Sequence, residues 1–143
     1  MQSPKIDSTV VADRISKSVS EYFGDQAPKL KIVKELSAKA TASSKTIKIR
    51  ENGEFDETDV KQLINHEAYI HVATTLNARA QKDMKILGSN YASITKTQEG
   101  LAVFSELITG SLDVNRMRRI SDRVVAIQMS IDGADFIDVY KFF

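Results

Sequence analysis

The stretch Asn65-His66-Glu67-Ala68-Tyr69-Ile70-His71 contains both histidines of the 143-residue chain, and a glutamate directly follows the first. Neutral imidazole is a common zinc ligand, and a glutamate beside a metal-bound water is a common general base. On an ideal α-helix, a spacing of five residues would place the second histidine roughly 140° around the axis from the first. A regular helix would therefore direct the two imidazoles apart.

A π-helical turn would remove this divergence, because it holds one extra residue per turn and brings positions i and i+5 onto the same side. We therefore predict a π-bulge or a distorted turn between His66 and His71. The alternative is two unrelated histidines on a partly buried regular helix, which would share no metal ion.

The composition is that of an ordinary soluble globular protein, with 42% hydrophobic and 27% charged residues. The formal net charge of +1 gives no electrostatic argument for a nucleic-acid partner. No apolar run approaches the ~20 residues of a membrane span, so we expect no membrane partner. Because cysteine is absent, any metal must be bound through nitrogen and oxygen. A cytoplasmic location is the default expectation, which the lack of cysteine alone does not establish.

The length suits one modest domain, which we place at residues 1–143. The final segment, residues 135–143, is still apolar and periodic where the chain stops, whereas chain ends are usually polar. We therefore expect a C-terminally truncated, partial catalytic domain of a longer protein. An exposed apolar end of this kind could drive homodimerisation.

The sequence predicts an α+β fold, mainly helical, with a small β-sheet or hairpin before the histidine helix. Apolar residues at helical spacing predict a first helix over residues 8–23, which Gly24 ends. Strands are predicted at residues 30–33 and 46–49, and residues 38–44 form a loop or a weak strand. We expect the strand at 46–49 to lie at a sheet edge, where an extended peptide could pair with it.

The second half of the chain is predicted to be helical. Asp56 and Asp59 match a capping box that starts the histidine helix. The segment Thr95-Lys96-Thr97-Gln98 matches a second capping box, so Glu99 is predicted to lie in the first turn of the next helix. Asp113 can begin a further helix, and the last segment is compatible with another.

A catalytic zinc site usually has three protein ligands and one open position for water. Glu99 is the first candidate for the third ligand, because its helix could pack beside the histidine helix. Glu106 and Asp83 are competing acids, and the residue pattern favours Glu99 only slightly.

Two motifs occur in the order, and at about the separation, that is typical of a known family. They are His66-Glu67-Ala68-Tyr69-Ile70-His71 and Thr97-Gln98-Glu99-Gly100-Leu101-Ala102. The chain thereby resembles the QEGLA-motif family, whose bacterial members are labelled flavohemoglobin expression-modulating proteins. The family also includes the microtubule-associated tyrosine carboxypeptidases of animals. The chain is much shorter than a typical member, in agreement with the expected truncation.

The resemblance implies a zinc metallopeptidase of the gluzincin type. It implies that His66 and His71 are imidazole ligands, that Glu99 is the carboxylate ligand, and that Glu67 is the general base. The animal members remove a C-terminal tyrosine from a protein tail. We therefore expect a carboxypeptidase acting on a peptide or protein C-terminus, although no feature of the sequence indicates which substrate it cleaves.

Further candidates have weaker support. Tyr69, Tyr91 and Tyr140 could stabilise an oxyanion, but Tyr69 is more typical of a core residue on the histidine helix. A terminal carboxylate could be bound by one of four arginines, although such a cluster is more often a solvated helix face: Arg116, Arg118, Arg119 and Arg123.

Two other classes of function compete with the peptidase. One is a non-catalytic metal-binding or interaction module, which would need no general base. The other is a nucleic-acid regulator, suggested only by the label of the bacterial relatives. The near-neutral charge and the lack of an aromatic-studded basic patch argue against a regulator.

Overall fold

The computed structural model describes residues 4–89 and 91–143, and it confirms a mainly helical α+β fold with one small sheet. The chain divides into two compact units, Met1–Ser111 and Leu112–Phe143. The expected single partial domain stays a prediction. Among the described residues, no helix is both long and apolar enough to cross a lipid bilayer.

The first unit begins with helix α1, Ser8–Phe23, as predicted. The side chain of Asp7 caps it by accepting a hydrogen bond from the backbone nitrogen of Thr9 at 2.8 Å. Gly24 ends it with a φ of 54°, a conformation that suits glycine. The buried face of α1 carries Val11, Ile15 and Val19.

Three strands follow: β1, Lys29–Val33; β2, Ala40–Ala42; and β3, Thr46–Arg50. Their order is β1-β3-β2, with β3 parallel to β1 and antiparallel to β2. The prediction that residues 46–49 form an edge strand is therefore wrong. Alternating apolar and charged residues report which face of a sheet is buried, and they do not report whether both sides of the strand are paired.

The edge nearest the histidines is instead β2, which forms within the small, polar segment for which the sequence predicts a loop or a weak strand. Its three residues pair with residues 47–49 of β3. In the sheet as described, no strand pairs with the other side of β2.

Residues 57–80 form one continuous helical segment of three parts: α2, Glu57–Leu63; a π-helix, Ile64–Val72; and α3, Ala73–Ala80. The predicted capping box is confirmed, with bonds of 2.9 Å and 3.1 Å between Asp56 and Asp59. The predicted π-helical turn across both histidines is also confirmed.

A short 3₁₀ turn, Lys85–Gly88, precedes α4, Ala92–Ile108. The predicted capping box at residues 95–98 is wrong, because the helix already begins at Ala92. The hydroxyl of Thr95 donates to the carbonyl of Tyr91, four residues earlier, so it makes a bond within the helix and does not cap its start. Glu99 therefore lies about two turns into α4 and not in its first turn.

The core of the first unit lies between α1, the sheet and the segment of residues 57–80. Burial of one such large apolar side chain stabilises the fold by roughly 1.5–3 kcal/mol. The larger members of this core are Val11, Ile15, Val19, Ile47, Ile49, Phe55, Val60, Leu63 and Val72. This core supports the π-helix, and both α4 and β2 contact the π-helix.

The second unit consists of α5, Val114–Ile131, and α6, Phe136–Phe142. Asp113 caps α5 by accepting from the backbone nitrogen of Arg116 at 2.6 Å, as its position predicts. A capping box between Asp135 and Asp138 starts α6, so the last segment is helical.

Candidate metal centre

The π-helix places the two imidazoles beside each other. The ring centroids of His66 and His71 are 5.0 Å apart, in an edge-on arrangement. His66 is buried and His71 is half-buried. The extra residue in the π-helical turn compensates for the spacing of five, which would separate the rings on a regular α-helix.

Helix α4 supplies a carboxylate to both rings. The two oxygens of Glu99 lie 3.5 Å from Nε2 of His66 and 3.3 Å from Nε2 of His71. Among the residues that the structure describes, these three side chains form the one group that could hold a metal ion, with ligand atoms within 4.8 Å of one another.

The carboxylate–imidazole separations suit donors to a single small ion. Two donors about 2.0–2.2 Å from zinc in tetrahedral geometry lie roughly 3.3–3.6 Å from each other. Oε2 of Glu99 lies 3.5 Å from Nε2 of His66 and Oε1 lies 3.3 Å from Nε2 of His71, so each of these two pairs falls in this range. Two imidazoles and one carboxylate are also a donor set of zinc peptidases, and the set leaves a fourth position for water.

Each ring engages its other nitrogen elsewhere. Nδ1 of His66 lies 2.6 Å from Oε1 of Glu106, and Nδ1 of His71 lies 3.3 Å from the side-chain oxygen of Gln98. A neutral imidazole has one donor and one acceptor nitrogen. With Nδ1 as the donor, Nε2 of each ring can offer its lone pair to a metal.

Glu106 is therefore placed differently from the competing ligand that the sequence suggested. Its carboxylate contacts Nδ1, outside the group of three ligand atoms, and it is fully buried. Asp83, the other competing acid, is exposed and also lies outside this group. The sequence does contain a signal for Glu106: it follows Glu99 by seven residues, nearly two helical turns, so both carboxylates share one face of α4.

The site is electronegative. Burial alone lowers the pKa of His66, but the hydrogen bond to Glu106 and the charges of Glu67, Glu106 and Glu99 raise the pKa above its ordinary value. This sign of the net shift shows that the surroundings of His66 favour a positive charge.

A cavity of about 360 Å³ opens onto the three candidate ligands. Strand β2 forms one wall of it, and α4 contributes Gln98 and Glu99. Glu67 also lines the cavity, directly after His66 on the π-helix. The predicted general base and the predicted ligands thus face the same space.

A second cavity, also about 360 Å³, lies between α3 and α4 and shares Gln98 with the first. Ile94 and Leu101 line it together with Thr74, Thr97 and Ser93. An apolar group could therefore be held near the candidate metal centre.

Tyr69 is a core residue and not part of the cavity lining. Its hydroxyl lies 2.7 Å from Oγ of Ser18 on α1, and its ring packs against Tyr22 at 4.8 Å between centroids. Tyr91 is exposed, and Tyr140 belongs to the second unit. A role of these two tyrosines in stabilising an oxyanion stays a prediction.

The four candidate arginines belong to the second unit. Within α5, Arg118 lies 3.6 Å from Asp122, one helical turn away, which is typical of a solvated helix face. Binding of a terminal carboxylate by one of these arginines stays a prediction.

Comparison with known proteins gives one family. A family model described as microtubule-associated tyrosine carboxypeptidase matches residues 1–143, the whole chain. No curated protein and no solved structure matches the chain. The matched region contains the π-helix, Glu99 and Glu106, so the candidate metal centre lies entirely within it.

Proposed function

The chain belongs to the microtubule-associated tyrosine carboxypeptidase family, and we propose that it is a zinc-dependent carboxypeptidase acting on a peptide or protein C-terminus. His66, His71 and Glu99 bind the zinc ion in this proposal. The observation that carries it is the position of the Glu99 carboxylate, within 3.5 Å of Nε2 of both histidines.

Zinc is the metal that fits the donors best. Imidazole nitrogen suits zinc, whereas magnesium and calcium prefer oxygen ligands alone, and the chain contains no cysteine that would favour a thiolate site. When bound, zinc polarises the scissile carbonyl and acidifies the attacking water.

Glu67 is the proposed general base. It lies directly after one proposed ligand and lines the same cavity as all three, so a water in that cavity would be within its reach. Glu67 takes a proton from this water and later delivers it to the leaving amine. A positioned acid–base group of this kind contributes on the order of 10²–10⁴ in rate.

Strand β2 is the proposed binding edge for the substrate. It forms a wall of the cavity, and in the described sheet its outer side carries no partner strand. An extended peptide could add to it through main-chain hydrogen bonds, which bind a backbone without selecting a sequence. This edge replaces the one that the sequence predicted at residues 46–49.

The direct test is hydrolysis of a peptide that ends in tyrosine, the residue named by the family. The zinc-loaded protein should release free tyrosine, detected by mass spectrometry, and should leave the same peptide intact when its C-terminus is amidated. Glu67→Gln is the matched control, because it keeps the size of the side chain but cannot act as the base.

Two results would favour the alternative, a non-catalytic module. A protein that binds zinc but cleaves no peptide from a panel with varied C-termini would be a metal-binding module. A protein that binds no zinc would be an interaction module. Homodimerisation and a cytoplasmic location stay predictions.

A further inference from the structure

Glu106 is a fully buried acid for which the proposed hydrolysis has no direct use. Two carboxylates of α4 approach one imidazole from opposite sides. Glu99 Oε2 lies 3.5 Å from Nε2 of His66, and Glu106 Oε1 lies 2.6 Å from Nδ1 of the same ring. The two acids thus differ in position and in the ring nitrogen that they contact.

The surroundings of Glu106 assign the proton on the ring. A second donor, Nε2 of Gln62, reaches the same Oε1 atom at 3.0 Å. A buried carboxylate is tolerated when donors of this kind satisfy it, and an ionised carboxylate can only accept. When Glu106 is ionised, Nδ1 of His66 must be the donor, and Nε2 of the neutral ring then points its lone pair towards Glu99 and His71.

We infer that Glu106 is a positioning residue, whose buried carboxylate fixes the tautomer and the orientation of His66 so that Nε2 can bind the metal. The inference rests on the proposed role of His66 as a ligand. Hydrogen bonds to an ionised group are roughly twice as strong as neutral ones, so a carboxylate holds the ring more firmly than an amide would. Glu106 acts through His66 and not on the substrate.

The first readout is zinc affinity, measured by competition with a chromogenic chelator. Glu106→Met keeps the approximate size of the side chain but removes the acceptor, and it should weaken zinc binding by about 10–100-fold. Glu106→Gln keeps an uncharged acceptor and should fall between this variant and the wild type. Circular dichroism shows whether each variant is folded.

The matched control is Gln62→Met. It removes another donor to Oε1 of Glu106 but leaves the bond to His66, so stability should fall while zinc affinity falls much less than in Glu106→Met. If Glu106 served only to stabilise the fold, Gln62→Met and Glu106→Met would change zinc affinity alike.

The second readout needs no variant that could fail to fold. Nitrogen-15 NMR of the metal-free wild type in alkaline buffer reports the tautomer of each neutral histidine. The proton of His66 should be on Nδ1. A wild-type ring with its proton on Nε2 would overturn the inference.

Failure of this inference differs from failure of the proposed function. A wild type that binds no zinc refutes the metal site itself. A wild type that binds zinc, beside a folded Glu106→Met variant of equal affinity, refutes only the role of Glu106.

Discussion

The two histidines of the candidate metal centre lie in unlike surroundings. On the His66 side, which comprises His66, Glu106, Gln62 and Asn65, the ring is buried and its Nδ1 lies 2.6 Å from a buried carboxylate. On the His71 side, which comprises His71, Gln98 and Thr75, the ring is half-buried and its Nδ1 lies 3.3 Å from a neutral amide. The two proposed ligands therefore differ in burial and in the charge of the group that their Nδ1 atom contacts.

The difference shows how the π-helix is anchored. The side chain of Asn65, just before His66, donates to Thr109 at 2.8 Å and to Ser111 at 3.3 Å, at the C-terminal end of α4. The equivalent support after His71 is a bond within the helix, from Thr75 to the carbonyl of His71 at 2.8 Å. The residue just before His66 is therefore bonded to a second element, whereas Thr75, four residues after His71, bonds only within its own helix.

The largest effect is expected at Glu67, which lies between the two sides. Glu67→Gln should lower kcat for a peptide ending in tyrosine by about 10²–10⁴-fold, because an amide cannot accept the proton of water. Zinc content should not change, since Glu67 lies outside the group of ligand atoms. Kinetics and elemental analysis on the same preparation check this, and wild-type turnover would rule out Glu67 as the base.

The next effect concerns the two acceptors of Nδ1. Gln98→Met removes the acceptor on the His71 side as Glu106→Met does on the His66 side, so the two variants form a matched pair. The Gln98 variant should weaken zinc binding by about tenfold at most, the lower end of the range for such partners. The smaller loss is expected because the bond between Gln98 and Nδ1 of His71 is longer than the one between Glu106 and Nδ1 of His66, and its acceptor is a neutral amide. Chelator competition decides, and equal losses in the two variants would mean that the two sides are alike.

A smaller effect is expected at Asn65. Asn65→Ala should lower the free energy of unfolding of the metal-free protein by about 0.5–1.5 kcal/mol, because the bonds of its side chain to Thr109 and Ser111 are lost. Thr75→Ala, on the other side, should be close to neutral, since the hydroxyl bonds only to its own helix. Urea unfolding measures both values. A Thr75 variant less stable than the Asn65 variant would contradict the view that the bonds of Asn65 stabilise this segment more than the bond of Thr75 does.

The smallest effect is a dependence of stability on pH. The folded-state pKa of His66 is raised above 6.5, so protonated His66 contributes stability that is fully present below pH 6.5 and is lost as pH rises through the folded pKa. Metal-free protein should therefore unfold at a lower urea concentration at pH values above the folded-state pKa of His66 than at pH values below 6.5. Glu106→Gln should flatten the profile, and a wild-type profile no steeper than that of the variant would contradict the assigned cause.

The sequence predicted the central feature of the site because helical geometry is simple. A spacing of five between His66 and His71 fits one ion only if the helix is distorted, and the π-helix has this distortion. The predicted cap at Asp56 begins its helix because the paired acids Asp56 and Asp59 satisfy free backbone donors. Such signals depend only on residues close together in the sequence, so they can be recognised without knowledge of the fold.

The errors came from features that depend on neighbours. The threonines before Glu99 fit a capping box, but they can equally bond backwards inside a longer helix, as Thr95 does. Pairing decides whether a strand lies at an edge, and the residues of β3 do not encode it. The place of Glu106 beside Nδ1 follows from how α4 packs on the π-helix, which the sequence does not specify.

The most direct test is the zinc content of tag-free protein, measured by elemental analysis for the wild type and for His66→Ala, His71→Ala and Glu99→Ala. We expect about one zinc per wild-type chain and none in any of the three variants, because a catalytic site of this kind has three protein ligands. Glu57→Ala, which removes an exposed acid outside the site, is the control and should retain the metal. No zinc in the wild type after incubation with the metal, or full zinc content in any of the three ligand variants, would contradict the three-ligand site.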